Sequence, residues 1–161
     1  MRLVVIERVN LCNHDLSVLE RAVNQLLEEG WHVKDGLLLS TQYEPLQQMV
    51  RYNQDPLEIT TSYRLCERDP EKLNYDIEPG YARYHDPLII DGKAIFAIEK
   101  RAKVYQRYEL LASANEEDLS DQVSSFLREG WEPYEMPVIG EAGYGQAITR
   151  TVVEAIPIIE K

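Results

Sequence analysis

The apolar positions change their period within the first thirty residues. Leu3-Val4-Val5-Ile6 is a continuous run suited to a buried strand. After a polar break from Asn10 to Asp15, Leu16, Leu19, Val23, Leu26 and Leu27 recur at three- and four-residue spacing. That spacing puts them on one face of a helix and leaves Glu20, Arg21 and Glu28 outside it. Asn13 or Asp15 can serve as the N-cap, and Gly30 can take the left-handed conformation that ends a helix, so that Trp31 folds back on the helix end. A strand near Trp31 to Val33, a turn at Lys34-Asp35-Gly36, a strand from Leu37 and another around Gln47 to Tyr52 are expected to follow.

The same pattern returns. Val23-Asn24-Gln25-Leu26-Leu27-Glu28-Glu29-Gly30-Trp31 has its counterpart in Val123-Ser124-Ser125-Phe126-Leu127-Arg128-Glu129-Gly130-Trp131. Val104 to Ala112 reads as a strand, and Asn115-Glu116-Glu117-Asp118 as a helix start whose acids suit the positive end of the helix dipole. Leu119, Val123, Phe126 and Leu127 line the inner face. Pro133 and Pro137 restrict the stretch after Trp131 to an edge strand or a loop, because proline has no N–H to donate to a ladder. Gly140 to Gly143 then connects to a strand over Tyr144 to Val153.

Between the copies, Leu57 to Tyr63 alternates as a strand does. Leu88 to Ile98 is two apolar runs around Asp91-Gly92, a hairpin signal. Asp69 to Pro87, with Tyr75, Tyr81 and Tyr84 among turn-forming residues, is expected to be a long irregular loop. The expected fold is therefore α+β: two pseudo-symmetric β-α-β-β repeats, 1–52 and 102–161, with a β-rich insert over 53–101.

Leu19, Val23, Leu27, Glu29, Gly30 and Trp31 with Gln48-Met49, and Leu119, Val123, Leu127, Glu129, Gly130 and Trp131 with Tyr144-Gly145-Gln146-Ala147, resemble the small bacterial and phage domain of unknown function 1737. The resemblance covers about two thirds of the chain and suggests tandem copies. It implies a compact β-α-β-β unit, duplicated, in a protein of phage or mobile-element origin, and it brings no established activity.

Composition narrows the classes. Seventeen basic and 28 acidic residues give a net charge of −11 with histidine neutral, which disfavours direct nucleic-acid binding. Lys100-Arg101-Ala102-Lys103 with Arg107 is the one basic cluster, without an RNA-binding aromatic motif beside it. No apolar stretch approaches the roughly 20 residues of a membrane span, and the start lacks a signal-peptide pattern, so a cytoplasmic location without membrane contact is expected. Cys12 and Cys66 have no metal-ligand spacing and read as reduced structural residues. No metal and no cofactor is expected.

His85-Asp86, beside Arg83 and Tyr84, is the only polar set resembling an active-site loop, since a histidine next to a carboxylate can act as acid or base. An exposed turn has the same composition. Without a phosphate-binding loop, a nucleophile elbow or a Cys-x-x-Cys pair, the chain reads as a noncatalytic binding or protein-interaction module that homo-oligomerises through sheet edges or takes a protein partner or small ligand. The competing readings are a nucleotide or small-ligand sequestering protein, an acidic nucleic-acid mimic, and a hydrolase using His85 and Asp86. Trp31 and Trp131 are expected to cover the open ends of small cores. In the ligand-binding alternative, Trp31, Gln48, Tyr84, Trp131, Tyr144 and Gln146 would line related pockets.

Overall fold

The computed structural model describes residues 2–158. Among them, two helices and eight strands in two sheets form a strand-rich α+β protein. The chain divides into two units, residues 1–103 with 154–161, and Val104–Val153.

The first unit opens with β1 (Val5–Cys12), α1 (Leu16–Glu28), β2 (His32–Leu39) and β3 (Pro45–Tyr52), whose strands form an antiparallel sheet in the order β1-β3-β2. Asp15 caps α1: its Oδ1 accepts from the Ser17 backbone N–H at 3.0 Å and from Ser17 Oγ at 2.7 Å. At the other end Gly30 has φ 89°, which turns the chain so that the Trp31 N–H reaches the Leu26 carbonyl at 3.0 Å. That bond satisfies an acceptor the helix would otherwise leave open.

The expected turn at Lys34-Asp35-Gly36 is absent. β2 runs through it with a bulge: Asp35 takes φ 58°, and the register with β3 shifts between Lys34 and Leu38. The cause lies on β3, where the Gln47 amide donates to the Lys34 carbonyl at 3.2 Å and the Asp35 carbonyl at 3.1 Å. Asp35 has no register partner on β3, and the side-chain amide meets its carbonyl together with that of Lys34. The chain reverses instead over residues 40–44, where the Tyr43 N–H donates to the Ser40 carbonyl.

β4 (Glu58–Arg68) lies antiparallel to β6 (Lys93–Ser113), and β5 (Leu88–Ile90) pairs with β6 across a hairpin at Asp91 and Gly92. Both turn residues have positive φ, 49° and 77°, as a two-residue hairpin with matching twist requires. Asp69 to Pro87 contains one 3-10 turn, Pro70–Lys72, and an isolated bridge from Ala82 to Glu99. The two separate strands expected at Lys93 to Ile98 and Val104 to Ala112 are one. β6 is continuous for 21 residues because Glu99 to Lys103 pair with β4, which keeps their backbone in the ladder.

Core formation in this unit joins both segments. Leu19 and Val23 of α1, Leu37 of β2, Met49 of β3, Tyr63 of β4 and Ile95 of β6 are buried together, with Leu65, Leu88, Ile90 and Ala97 packed against them. Helix α1 thus has its own sheet on one side and the insert on the other. The alternate face of the insert buries Tyr81, Phe96 and Ile98 in a second cluster.

In the second unit the sheet order is β6-β8-β7, with α2 (Glu116–Arg128), β7 (Glu132–Gly140) and β8 (Gly143–Ala155). Asn115 caps α2 by accepting from the Glu117 N–H at 2.8 Å and the Asp118 N–H at 3.3 Å. Gly130 (φ 92°) ends the helix, and the Trp131 N–H reaches the Phe126 carbonyl at 3.2 Å. β7 is an edge strand, consistent with its two prolines, and bulges between Tyr134 and Val138 with Glu135 at φ 62°. Leu119, Trp131, Gln146 and Ile148 are buried, while every residue of β7 is exposed.

Candidate functional site

Each unit places one glutamine under the bulge of a neighbouring strand. Gln47 is fully buried, and its Nε2 donates to the carbonyls of Lys34, Asp35 and Gln48. Gln146 does the same with the carbonyls of Tyr134 (3.4 Å), Glu135 (3.3 Å) and Ala147 (2.8 Å). By its bonds and its strand register, the counterpart of Gln146 is therefore Gln47 and not Gln48. Gln48 points to the other face of its sheet, where it meets Arg8 and Asn10. Gln47 follows Trp31 by 47 − 31 = 16 residues and Gln146 follows Trp131 by 146 − 131 = 15, an offset of one.

The two glutamines differ in what meets their second polar atom. Gln47 Oε1 accepts a 2.8 Å hydrogen bond from the Tyr63 hydroxyl on β4, and Tyr63 is fully buried. Burial pushes the Tyr63 phenol well above its ordinary range, with the carboxylates of Glu99 and Glu20 acting in the same direction, so it remains a neutral donor. β4 is also held to α1 by side chains. The Asn24 amide donates to the Tyr63 carbonyl at 2.8 Å and its oxygen accepts from the Tyr63 N–H at 3.1 Å, while Glu20 accepts from the Leu65 N–H at 2.9 Å. Nearby, Gly36 lies so close under the insert that a Cβ there would come within 2.7 Å of His85 Cβ.

In the second unit, among the described residues, no donor meets Gln146 Oε1. The positions of Glu20 and Asn24 on the helix are taken by Ser120 and Ser124, both exposed. Gly36 is replaced by Met136, 83% exposed, and buried Leu37 by exposed Pro137. Leu127 is 42% exposed where Leu27 packs against the core. The result is a face of α2 and β7 that is apolar at Val123, Leu127, Met136 and Pro137 and has hydroxyl and amide groups among them.

The remaining candidates are scattered. Trp131 is buried edge-on against Phe126, with ring centroids 5.8 Å apart. Trp31 is half-buried beneath the Arg51 guanidinium, 5.0 Å from the ring centre. Tyr144 is half-buried and pairs with Ile139 beside the β7 to β8 turn. Tyr84 stacks on Arg101 at 3.7 Å, and burial raises its phenol pKa. His85 is half-buried and Asp86 exposed, and among the described residues neither side chain is hydrogen-bonded. Cys66 is half-buried, with its thiol pKa raised by that burial, whereas Cys12 is exposed.

The basic cluster is already neutralised at its centre. Arg101 meets Glu58 at 3.6 Å and the buried Glu99 at 3.3 Å, Lys100 lies over the Tyr81 ring, and Arg107 approaches Glu109. A cavity of about 140 Å³ beside it is lined by His32, Tyr52, Glu58, Thr60 and Arg101. Burial lowers the His32 pKa and favours its neutral form. With its guanidinium engaged by two carboxylates, the cavity offers little to an anion, and it is well below the roughly 300–1,000 Å³ of small-ligand pockets. Among the described residues no group of histidine, cysteine and carboxylate side chains is arranged to hold a metal, and no helix is long and apolar enough to cross a membrane.

Residues 105–151, the span of the second unit, match a family described as Domain of unknown function (DUF1737). One copy is found where the sequence suggested two; residues 1–104 lie outside the match. No curated protein and no solved structure matches the chain.

Proposed function

We propose that this chain is a noncatalytic interaction protein that docks a protein segment on the open face of its second unit. We also infer that 1–52 and 102–161 are copies of one β-α-β-β plan, with 53–101 inserted between them. In this reading the first copy is closed in cis by the insert, and the second is left for closure in trans. The observation that carries it is the glutamine pair: Gln47 and Gln146 make the same three bonds to a bulged strand, but only Gln47 has a covering strand that meets its carbonyl oxygen. Exposed Met136 and Leu127 lie where the first unit is sealed.

The test is a photo-crosslinking residue placed in the full-length chain at position 136, with position 121 on the polar face of α2 as control. A discrete adduct formed from 136 and not from 121 is expected in cells that express the protein. Equal labelling from both positions, or none from either, would refute docking at this face. An adduct of twice the chain mass would assign the face to self-association.

A further inference from the structure

The first unit shows what kind of element closes this face. Its cover is β4, an extended strand that lies along α1, puts Tyr63 and Leu65 toward the interior, and delivers a phenol O–H to the buried glutamine. Its backbone is read by helix side chains at two successive inward positions, Tyr63 and Leu65. The second unit keeps the glutamine and the helix, and has short hydroxyl side chains where Asn24 and Glu20 grip the strand. From Val104 to Val153 it has three basic and nine acidic residues, a net of −6. A second copy of the chain would bring like charge to the face, and its own Tyr63 is buried and already bonded. Charge therefore selects a different occupant.

We propose that the partner is an extended, basic-flanked strand of another protein that presents a tyrosine to Gln146 as Tyr63 presents one to Gln47. This rests on the docking reading above and gives it a chemistry. The tyrosine supplies the missing donor, its apolar neighbours cover Val123, Leu127 and Met136, and lysine or arginine at the ends meets the exposed carboxylates of Glu129, Glu132 and Glu135. The hydrogen bond provides selectivity, because docking takes the Gln146 carbonyl oxygen out of water, and a ligand that covers it without a donor leaves it unpaired.

The chain's own β4 supplies the probe. A synthetic peptide of residues 57–68 with Glu58 and Glu67 replaced by lysine is titrated into isotope-labelled full-length protein and followed by NMR. Shifts are expected at the Gln146 side-chain amide, Ser124 and Met136, with the Gln47 amide unmoved. The peptide carrying Tyr63→Phe should bind about five- to tenfold more weakly, the loss of roughly one hydrogen bond. In the protein, Ser124→Asn restores the strand grip of Asn24 at an exposed position and should tighten binding severalfold. Absence of binding by the peptide, or equal binding of the Tyr and Phe peptides, overturns the tyrosine-strand proposal. If the position-136 adduct forms under either of those results, docking stands and only its chemistry is wrong. If neither the peptide nor the adduct is seen, both fail.

Discussion

Replacing Tyr63 by phenylalanine removes one oxygen from the centre of the first unit and leaves the ring that packs beside Leu19, Val23 and Met49 in place. No large cavity opens, so the roughly 3–5 kcal/mol loss of truncating a buried aromatic to alanine does not apply. What is lost is the donor to Gln47 Oε1, and the glutamine cannot rotate to find another because its Nε2 is bonded to three carbonyls. A buried acceptor left without a partner costs about 1–3 kcal/mol. Urea unfolding followed by Trp31 fluorescence, in a Trp131→Phe background so that the first unit reports alone, should show the midpoint lowered at unchanged m-value. The pH dependence carries a second signature. The Tyr63 phenol has a folded pKa well above its ordinary value of 10.0. Below pH 10 both folded and unfolded chains keep the proton, and the full stability is present. Above it the unfolded chain ionises first, so stability falls as pH rises toward the folded pKa, by up to about 1.4 kcal/mol per unit for this group. The difference between wild type and Tyr63→Phe should therefore narrow above pH 10. A loss below about 0.5 kcal/mol at neutral pH, smaller than the range for an orphaned acceptor, would refute the role given to the Gln47 carbonyl.

The tryptophans should separate. Trp131→Ala should cost about 3–5 kcal/mol as a buried aromatic, while Trp31→Ala, at a half-buried ring under Arg51, should cost less; chemical denaturation giving the reverse order would contradict their packing. Gly143→Ala meets both a φ of 129° and a Cβ 2.8 Å from Ala114 Cα, whereas Gly130→Ala meets a φ of 92° with open space around it. The first should therefore lower the melting temperature of the second unit clearly more than the second, and equal shifts would reject the close approach. Asp15 is held below its ordinary pKa of 3.8, first by the Ser17 hydroxyl and then by the Ser17 N–H. Its contribution is present above that value and lost as pH falls toward the folded pKa, so Asp15→Asn should flatten the acid limb of an unfolding titration and a persistent limb would assign it to other carboxylates.

Local rules written in the sequence were enough for the helices and their ends. Apolar spacing, Asp15 and Asn115 as caps, and Gly30 and Gly130 as stops act within a few residues of one another and need no partner from elsewhere. The Asp91-Gly92 hairpin and the edge position forced on β7 by its prolines were legible for the same reason. Lys34-Asp35-Gly36 shows where such reading stops. Its composition is that of a turn, but the Gln47 amide, brought alongside only when β2 and β3 pair, makes it a bulge inside a continuous strand. Pairing with β4 likewise carried β6 through a polar stretch that has no strand pattern of its own. The candidate site is only partly legible: the sequence points to Gln146 and Gln48 on their strands, whereas the residue that makes the bonds of Gln146 in the first unit is Gln47, and no local pattern marks Tyr63 or Asn24. A one-residue shift in a strand reverses the face, and which residue faces which side is decided by cross-strand register. Which helix face is covered and which is open was decided by tertiary structure alone, because the insert closes one unit through contacts about 40 residues apart in the chain, and no periodicity records them.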